Sequence, residues 1–246
     1  MFRTLFIFLL FTLIPLWHQM PALQAQTVID LHTGRISAKT KDDYDVKARE
    51  QWQQEQDSLA YVDCLTRAFN YLHADSLALA QEHFERALAL RPDAPGNRVV
   101  QHNLARILMA RSQWKDALQR LSRLVQKDPP WDEAREDRAA CCLQLSLFEQ
   151  ALEDYDNLLL RHPADAHFLL LRAMARCGAG KPYEALDDLD EALRNDANHA
   201  DAYLLRAEIH LDLGQRGYAR RDVEKAAKLG APQADLAHLM QRLSDD

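Results

Sequence analysis

An alanine recurs at a fixed step along much of this chain. Ala117, Ala151, Ala185 and Ala219 follow one another at that step. A constant period of about 34 residues is typical of proteins built from stacked helical units, each of which packs on its neighbours. The chain has 246 residues, of which 7 are glycine and 48% are hydrophobic, and this composition favours helices joined by tight turns over a sheet. The spacing therefore predicts a helical array.

The recurring positions divide the chain into five units. They start near Tyr61, Arg98, Asp132, Ala166 and Ala200. The last three steps between starts are equal, and the first is longer because residues 93–97 lengthen one turn.

Small and large residues occupy fixed positions within the units. Position 8 is Ala68, Ala105, Ala139, Ala173 and Ala207. Position 20 is Ala80, Ala117, Ala151, Ala185 and Ala219. Position 24 is large or branched: Phe84, Leu121, Tyr155, Leu189 and Val223. Position 27 is Ala87, Leu124, Leu158, Ala192 and Ala226, and position 32 is Pro92, Pro129 and Pro163 in the first three units. This pattern resembles the tetratricopeptide repeat.

The resemblance departs from the family pattern at two positions. Position 11 is aromatic in the first unit (Tyr71), and is Leu108, Cys142, Arg176 and His210 in the others. Position 32 is Ala197 and Ala231 in the last two units.

The resemblance implies an all-α, right-handed superhelical solenoid of about five helix-turn-helix repeats. We expect the array to span residues 57–232, with Gly180 and Gly214 ending the first helices of their units. A capping helix is expected over 233–246. It places Leu236, Leu239, Met240 and Leu243 on one face.

The segment before the array has two parts. Arg3, an apolar run from Leu5 to Trp17 and the small residue Ala25 are typical of a signal peptide, which predicts residues 1–25 as a cleaved leader. An uncleaved anchor is the alternative. Residues 26–56 are predicted as a linker, polar and mobile at first, with a possible helix over residues 42–56 that forms a cap or a docking segment.

Charges correlate between positions 7 and 23. Units with Arg138, Arg172 and Arg206 at position 7 carry Asp154, Asp188 and Asp222 at position 23. In an antiparallel helix pair that turns at position 15 these positions lie opposite one another. We therefore expect one ion pair in each of these three units.

The resemblance also implies where a partner binds. In the family, positions 2, 5, 9, 12 and 13 of the first helices line a concave groove. The residues at these positions include Leu65, Phe69, Leu72, His102, Arg106, Met109, Glu136, Leu143, Leu170, Met174, Leu204, Glu208 and Leu211. The Lys and Asn clamp with which some members hold a carboxylate is absent from positions 5 and 9. Many of these leucines could instead pack against neighbouring units.

Other classes of function find little support in the sequence. The net charge of −7 and the dispersed lysines and arginines argue against a nucleic-acid partner. Histidine spacings typical of metal sites, a nucleophile elbow and a phosphate loop are absent, so we expect no enzyme, metal or cofactor. Cys64, Cys141, Cys142 and Cys177 are expected to fill the core, with a bridge from Cys177 to Cys141 or Cys142 as the alternative.

These observations predict an exported, non-enzymatic scaffold that binds a protein or peptide partner and has no stable membrane insertion after leader cleavage. A periplasmic assembly or secretion factor within an envelope complex is the alternative. A small-ligand or glycan binder is a weaker one, because the groove positions do not supply an aromatic pocket.

Processing of the leader can be tested directly. We expect N-terminal sequencing of the natively exported protein to begin at or within a few residues of Gln26. Recovery of an intact Met1 from the exported fraction would show that the leader is not removed.

Overall fold

The structure is a computed structural model that describes residues 27–29, 36–38, 41–127 and 130–244, with side chains from Val46 onward. A hairpin of β1 (Thr27–Ile29) and β2 (Ile36–Ala38) comes first. The helices are α1 (Lys41–His73), α2 (Leu77–Leu90), α3 (Asn97–Ala110), α4 (Trp114–Lys127), α5 (Asp132–Gln144), α6 (Phe148–Arg161), α7 (Ala166–Gly178), α8 (Pro182–Asn195), α9 (Ala200–Asp212), α10 (Arg216–Lys228) and α11 (Gln233–Ser244). The predicted leader, residues 1–25, lies outside the described residues.

The helices form successive hairpins that stack along the chain. Within a unit α1 packs on α2, α3 on α4, α5 on α6, α7 on α8 and α9 on α10. The second helix of each unit then packs on the first helix of the next. The predicted all-α repeat solenoid is confirmed, and the predicted unit starts fall at or within one residue of the first residues of α3, α5, α7 and α9.

The alanines at positions 8 and 20 are the points where the two helices of a unit meet. All ten are fully buried, and so are the large residues at position 24. A side chain of one methyl group lets two helix backbones approach closely, and the residue at position 24 fills the space beside the contact. Larger residues at the alanine positions would overpack the site, at a typical cost of about 1–3 kcal/mol.

Position 15 adopts a left-handed backbone conformation in every unit. The residues are Asp75, Ser112, Ser146, Gly180 and Gly214, with φ between 54° and 74°. Each ends the first helix in a short turn. In each hairpin the amide three residues after the last helical residue donates to a carbonyl of the last helical turn, as Leu147 does to Cys142 at 2.8 Å. Glycine alone takes this conformation without strain, so the two predicted helix-ending glycines are confirmed and three units use a strained residue instead.

The longer turn between the first two units is closed by one buried amide. The Asn97 side chain donates to the carbonyls of Arg91 at 2.6 Å and Pro92 at 2.8 Å. The Tyr61 hydroxyl donates to Asn97 Oδ1 at 3.1 Å. The extra residues are therefore held against α1 by specific hydrogen bonds.

The N-terminal part differs from the prediction in two ways. Residues predicted as a polar, mobile linker include a short antiparallel hairpin, with Val28 opposite Ser37 and Ile29 opposite Ile36, and β-branched residues favour such strands. The predicted boundary at residue 57 lies inside α1, which runs without a break over 33 residues. No helix-breaking residue separates the two parts, so the possible N-terminal helix and the first repeat helix are one.

The C-terminal helix closes the stack as predicted, with one correction. Leu236 and Leu239 are buried against α9 and α10, and Leu243 packs beside them. Met240 is 50% exposed and lies outside this contact, because it faces away from the last unit.

All four cysteines are free thiols in the structure. Cys64, Cys141 and Cys142 are buried as predicted, whereas Cys177 is half-buried. The alternative of a Cys177 bridge is not formed, because Cys141, Cys142 and Cys177 belong to three different core clusters along the stack. Burial raises the pKa of the Cys142 and Cys177 thiols to about 11, so both stay protonated near neutral pH.

The three predicted ion pairs are present and are bidentate. Arg172 Nε and Nη2 donate to the two carboxylate oxygens of Asp188 at 3.1 and 2.6 Å. Arg206 binds Asp222 in the same way, at 2.9 and 2.7 Å, and Arg138 also binds Asp154 through both oxygens. The aspartates are buried, so these pairs are internal to the hairpins. The hydrogen bonds that Arg206 donates to Asp222 raise the pKa of Arg206 above its ordinary value.

Two of these arginines also bind the preceding unit, which the sequence analysis did not predict. Arg172 Nη1 reaches Asp156 at 2.7 Å, and Arg206 Nη1 reaches Asp190 at 2.6 Å. In each case one aspartate lies 16 residues after the arginine in the chain, and the other lies 16 residues before it. Each guanidinium therefore joins three successive helices across two units.

The turns give a stability prediction. We expect Ser146→Gly to raise the free energy of unfolding by up to about 1 kcal/mol, because it removes left-handed strain. The reverse change, Gly180→Ser, should lower it by a similar amount. A Cβ at Gly180 would meet no atom within 4 Å, so backbone strain is the sole expected effect. Urea denaturation measures the free energy of unfolding of each variant. If the two changes shift it in the same direction, backbone strain at position 15 is not the cause.

The buried ion pairs give a second prediction. We expect a double-mutant cycle on Arg172→Met and Asp188→Asn to show a coupling energy of about 1–3 kcal/mol, since both side chains are mostly buried. The control is the exposed pair between Lys181 and Glu149 at 3.0 Å, whose coupling should fall below about 1 kcal/mol. Equal coupling for the two pairs in urea denaturation would show that burial does not strengthen the internal one.

Candidate functional site

The predicted groove residues all lie on first helices, but neighbouring helices cover many of them. Leu65, Phe69 and Leu72 on α1 are half-buried and pack against the core of the first two units. The Phe69 ring meets the buried Phe84 ring edge-on, with centroids 5.1 Å apart. This end of the predicted groove therefore serves mainly to hold the first two units together.

The charged middle of the predicted groove is also tied to neighbours. His102 is buried, and its Nε2 lies 2.7 Å from Asp137 Oδ2 on α5. Its ring also meets the edge of Trp131. Arg106 is exposed, with its Nε 3.9 Å from the same carboxylate. His102 thus joins α3 to α5 and is a structural residue.

Four further groove residues are half-buried beside core clusters or neighbouring charges. Met109 packs on the cluster around Leu121. Leu143 and Leu211 pack on the clusters of the third and fifth units. Glu136 Oε1 lies 3.4 Å from His167 Nε2.

The remaining four predicted residues come together in one cleft. Leu170, Met174, Leu204 and Glu208 line a space of about 360 Å³ between α7, α9 and α11. We call it the C-terminal cleft. Its other lining residues are Asp201, Leu205, Asp235, His238 and Leu239. Met174 is 44% exposed, whereas Leu170 is buried at the base.

Carboxylates dominate the rim of the C-terminal cleft. Asp201 and Asp235 have no ion-pair partner among the residues that the structure describes. Glu208 lies 4.0 Å from Arg242, which binds Asp212 more closely at 2.6 Å. The arrangement is an apolar floor of leucine and methionine beside two free carboxylates and one weakly paired one.

Five residues of this cleft are not among the predicted groove residues, although the repeat period indicates some of them. Continuing the repeat step past Ala200 starts a sixth, half unit at Ala234. Asp235 and His238 then occupy groove positions 2 and 5, and Asp201 is position 2 of the fifth unit. The capping helix is therefore also a groove helix.

Across residues 46–127 and 130–244, no group of three or more histidine, cysteine or acidic side chains is placed to hold a metal ion. Within the described part of the chain, no helix is both long and apolar enough to cross a bilayer.

The sequence profile of the tetratricopeptide repeat matches residues 71–136. This range covers the end of the first unit, the whole second unit and the start of the third. No protein with a curated description matches the chain.

Several solved structures share the fold at low sequence identity. MamA 41-end from Desulfovibrio magneticus RS-1 is 13% identical, with a TM-score of 0.64 over 76% of this chain and 98% of that one. YrrB, described as a TPR protein with an unusual peptide-binding site, is 16% identical, with a TM-score of 0.62 over 80% of this chain and 97% of its own. A tetratricopeptide repeat protein from Parabacteroides merdae ATCC 43184 is 19% identical, with a TM-score of 0.57 over 75% and 86% of the two chains.

The matched residues belong to units that carry the same buried alanines and the same turn at position 15, and the stacked hairpins have the fold of these structures. The chain has the tetratricopeptide-repeat fold, and residues 71–136 match the profile of that family.

Proposed function

We propose that this protein is a non-enzymatic interaction scaffold that holds a segment of a partner protein in the C-terminal cleft. The repeat fold and its structural neighbours support a protein-protein interaction scaffold in general terms. One observation carries the choice of surface: first helices of two units and the capping helix converge there on an open apolar floor.

The chemistry of the cleft points to one kind of segment. Leu204, Leu205 and Met174 offer a floor for a large apolar anchor, and methionine adapts to anchors of different shape. The carboxylates of Asp201 and Asp235 favour lysine or arginine beside the anchor. We therefore propose an extended or helical segment with an apolar anchor and basic flanks.

Alternative ligands fit less well. A glycan or planar small molecule prefers an aromatic wall, and the residues lining the cleft include no aromatic ring other than the imidazole of His238. The apolar end of the groove at Phe69 is also less suitable, because Phe69 packs on Phe84 and is not free to receive an anchor.

Export belongs to the same proposal. The apolar run and small residues of the leader support an exported scaffold, and a role in assembly or secretion within an envelope complex is the more specific form of it. Co-purification of the tagged protein from an envelope extract distinguishes this role from a free scaffold.

Peptide selection tests the cleft. We expect a phage library of short random peptides, selected on the immobilised full chain, to enrich a large apolar residue with lysine or arginine nearby. Met174→Lys should weaken the enriched peptides at least tenfold in fluorescence anisotropy, because it places a cation on the apolar floor. The affinity should also fall as salt is added, since exposed charges contribute to it.

Two controls keep this test specific. Met240→Lys changes an equally exposed methionine outside the cleft and should alter the affinity less than twofold. Asp201→Lys combined with Asp235→Lys should reverse the preference towards acidic flanks. Thermal melting by circular dichroism checks that each variant is folded. If Met174→Lys and Met240→Lys lower the peptide affinity equally, the peptide does not bind in this cleft. Selection of peptides with acidic flanks by the unchanged protein would exclude the cleft as well.

A further inference from the structure

The N-terminal half of α1 is not covered by any other described part of the chain. The 14 residues of α2 span about 21 Å, whereas the 33 residues of α1 span about 50 Å. Every residue from Val46 to Gln56 is exposed. A helix with no packed face is marginal in water, because most helical stability in proteins comes from tertiary packing.

An apolar stripe follows the outer face of this helix. Trp52 is 54% exposed, Leu59 is 63% exposed and Val62 is 58% exposed. They are spaced seven and three residues apart, which is the spacing of a helix seam that packs on another helix. Tyr61 and Cys64, which face the array, are buried, so the stripe lies away from the core.

The stripe lies at the N-terminal end of the solenoid, on the side of α1 that faces away from the array. At the other end, α11 buries Leu236 and Leu239 against the last unit. At the N-terminal end, the outer face of α1 exposes large apolar side chains, and the terminal unit of such an array requires a polar or covered outer face. Among the described residues, the β-hairpin of β1 and β2 makes no extensive contact with α1.

We propose that the outer face of α1 pairs with the same face of a second copy of this chain, in an antiparallel arrangement centred near Asp57. This register sets Trp52 of each copy against Val62 of the other. The two-fold axis makes the contact self-complementary.

Charge complementarity selects this arrangement. Arg49 flanks the stripe at one end and Asp63 at the other, about 21 Å apart along the helix. Antiparallel pairing brings Arg49 of one copy to Asp63 of the other at both ends. Asp63 already binds Arg67 at 2.9 Å and has a second oxygen to accept a further donor, whereas Arg49 has no partner within the described residues.

Glu55 argues against the parallel arrangement. It lies within the stripe between Trp52 and Leu59. Parallel pairing would set the two Glu55 carboxylates against each other in the seam, where like charges repel. Antiparallel pairing sets each against Leu59 of the other copy, where its methylene groups can pack and its carboxylate can reach water.

Sedimentation equilibrium of the full chain tests the proposal. We expect a dimer, with Trp52→Glu raising the dissociation constant at least tenfold and leaving the thermal melting of the array unchanged. Arg49→Glu and Asp63→Arg should each weaken the dimer, and the two together should restore it. Rescue by the double change requires that these residues face each other between copies.

A cysteine cross-link tests the orientation. Gln56→Cys lies near the two-fold axis and should form a disulfide between copies on mild oxidation, whereas Gln53→Cys, which is equally exposed on another face of α1, should not. A monomer at tens of micromolar would overturn the proposal. So would a monomer that dimerises only after residues 1–40 are removed, since that result would make the chain's own N-terminal segment the occupant. Equal cross-linking at both cysteines would overturn the antiparallel register.

Discussion

The contact between buried alanines at positions 8 and 20 is the interaction on which the rest of the array depends. It brings the two helices of each unit close enough that the residue at position 24 fills the space beside them. The resulting hairpin still has apolar faces that it cannot bury alone. Stacking is therefore required, and the core clusters accordingly share residues of successive units.

The buried arginines extend this close packing from one unit to the next. An arginine at position 7 lies beside the alanine contact, so its aspartate partner at position 23 is buried with it. A buried carboxylate without a partner is costly, and the bidentate pair removes most of that cost. The second aspartate, Asp156 or Asp190, accepts a hydrogen bond from Nη1 and joins the unit to the preceding one. Because a planar guanidinium has several donors in fixed directions, lysine could not join three helices in this way.

The two ends of the array differ, and each candidate interaction surface depends on the helix at its end, α11 or α1. The capping helix α11 repeats the path of a first helix, so it closes the core with Leu236 and also supplies one wall of the C-terminal cleft. At the opposite end α1 continues past the first unit and carries Trp52 into solvent. In the middle of the array, side chains at groove positions, such as His102, instead form contacts between units. The two candidate interaction surfaces thus lie at the two ends of the array.

The sequence by itself determined the unit, its alanine contact, its turn and the pairing of Arg172 with Asp188. These features repeat at a fixed step, and each depends on residues of one hairpin, whose two helices must be antiparallel because the turn is short. Tertiary structure alone decided that Leu170 is buried while Met174 is open, that Phe69 packs on Phe84, and that Asp235 joins the cleft. The exposure of a side chain at a groove position depends on which helix packs over it. The repeat period does not predict where the stack ends or how far α1 extends. The continuity of α1 across residue 57, by contrast, follows from the sequence, because no residue there stops a helix.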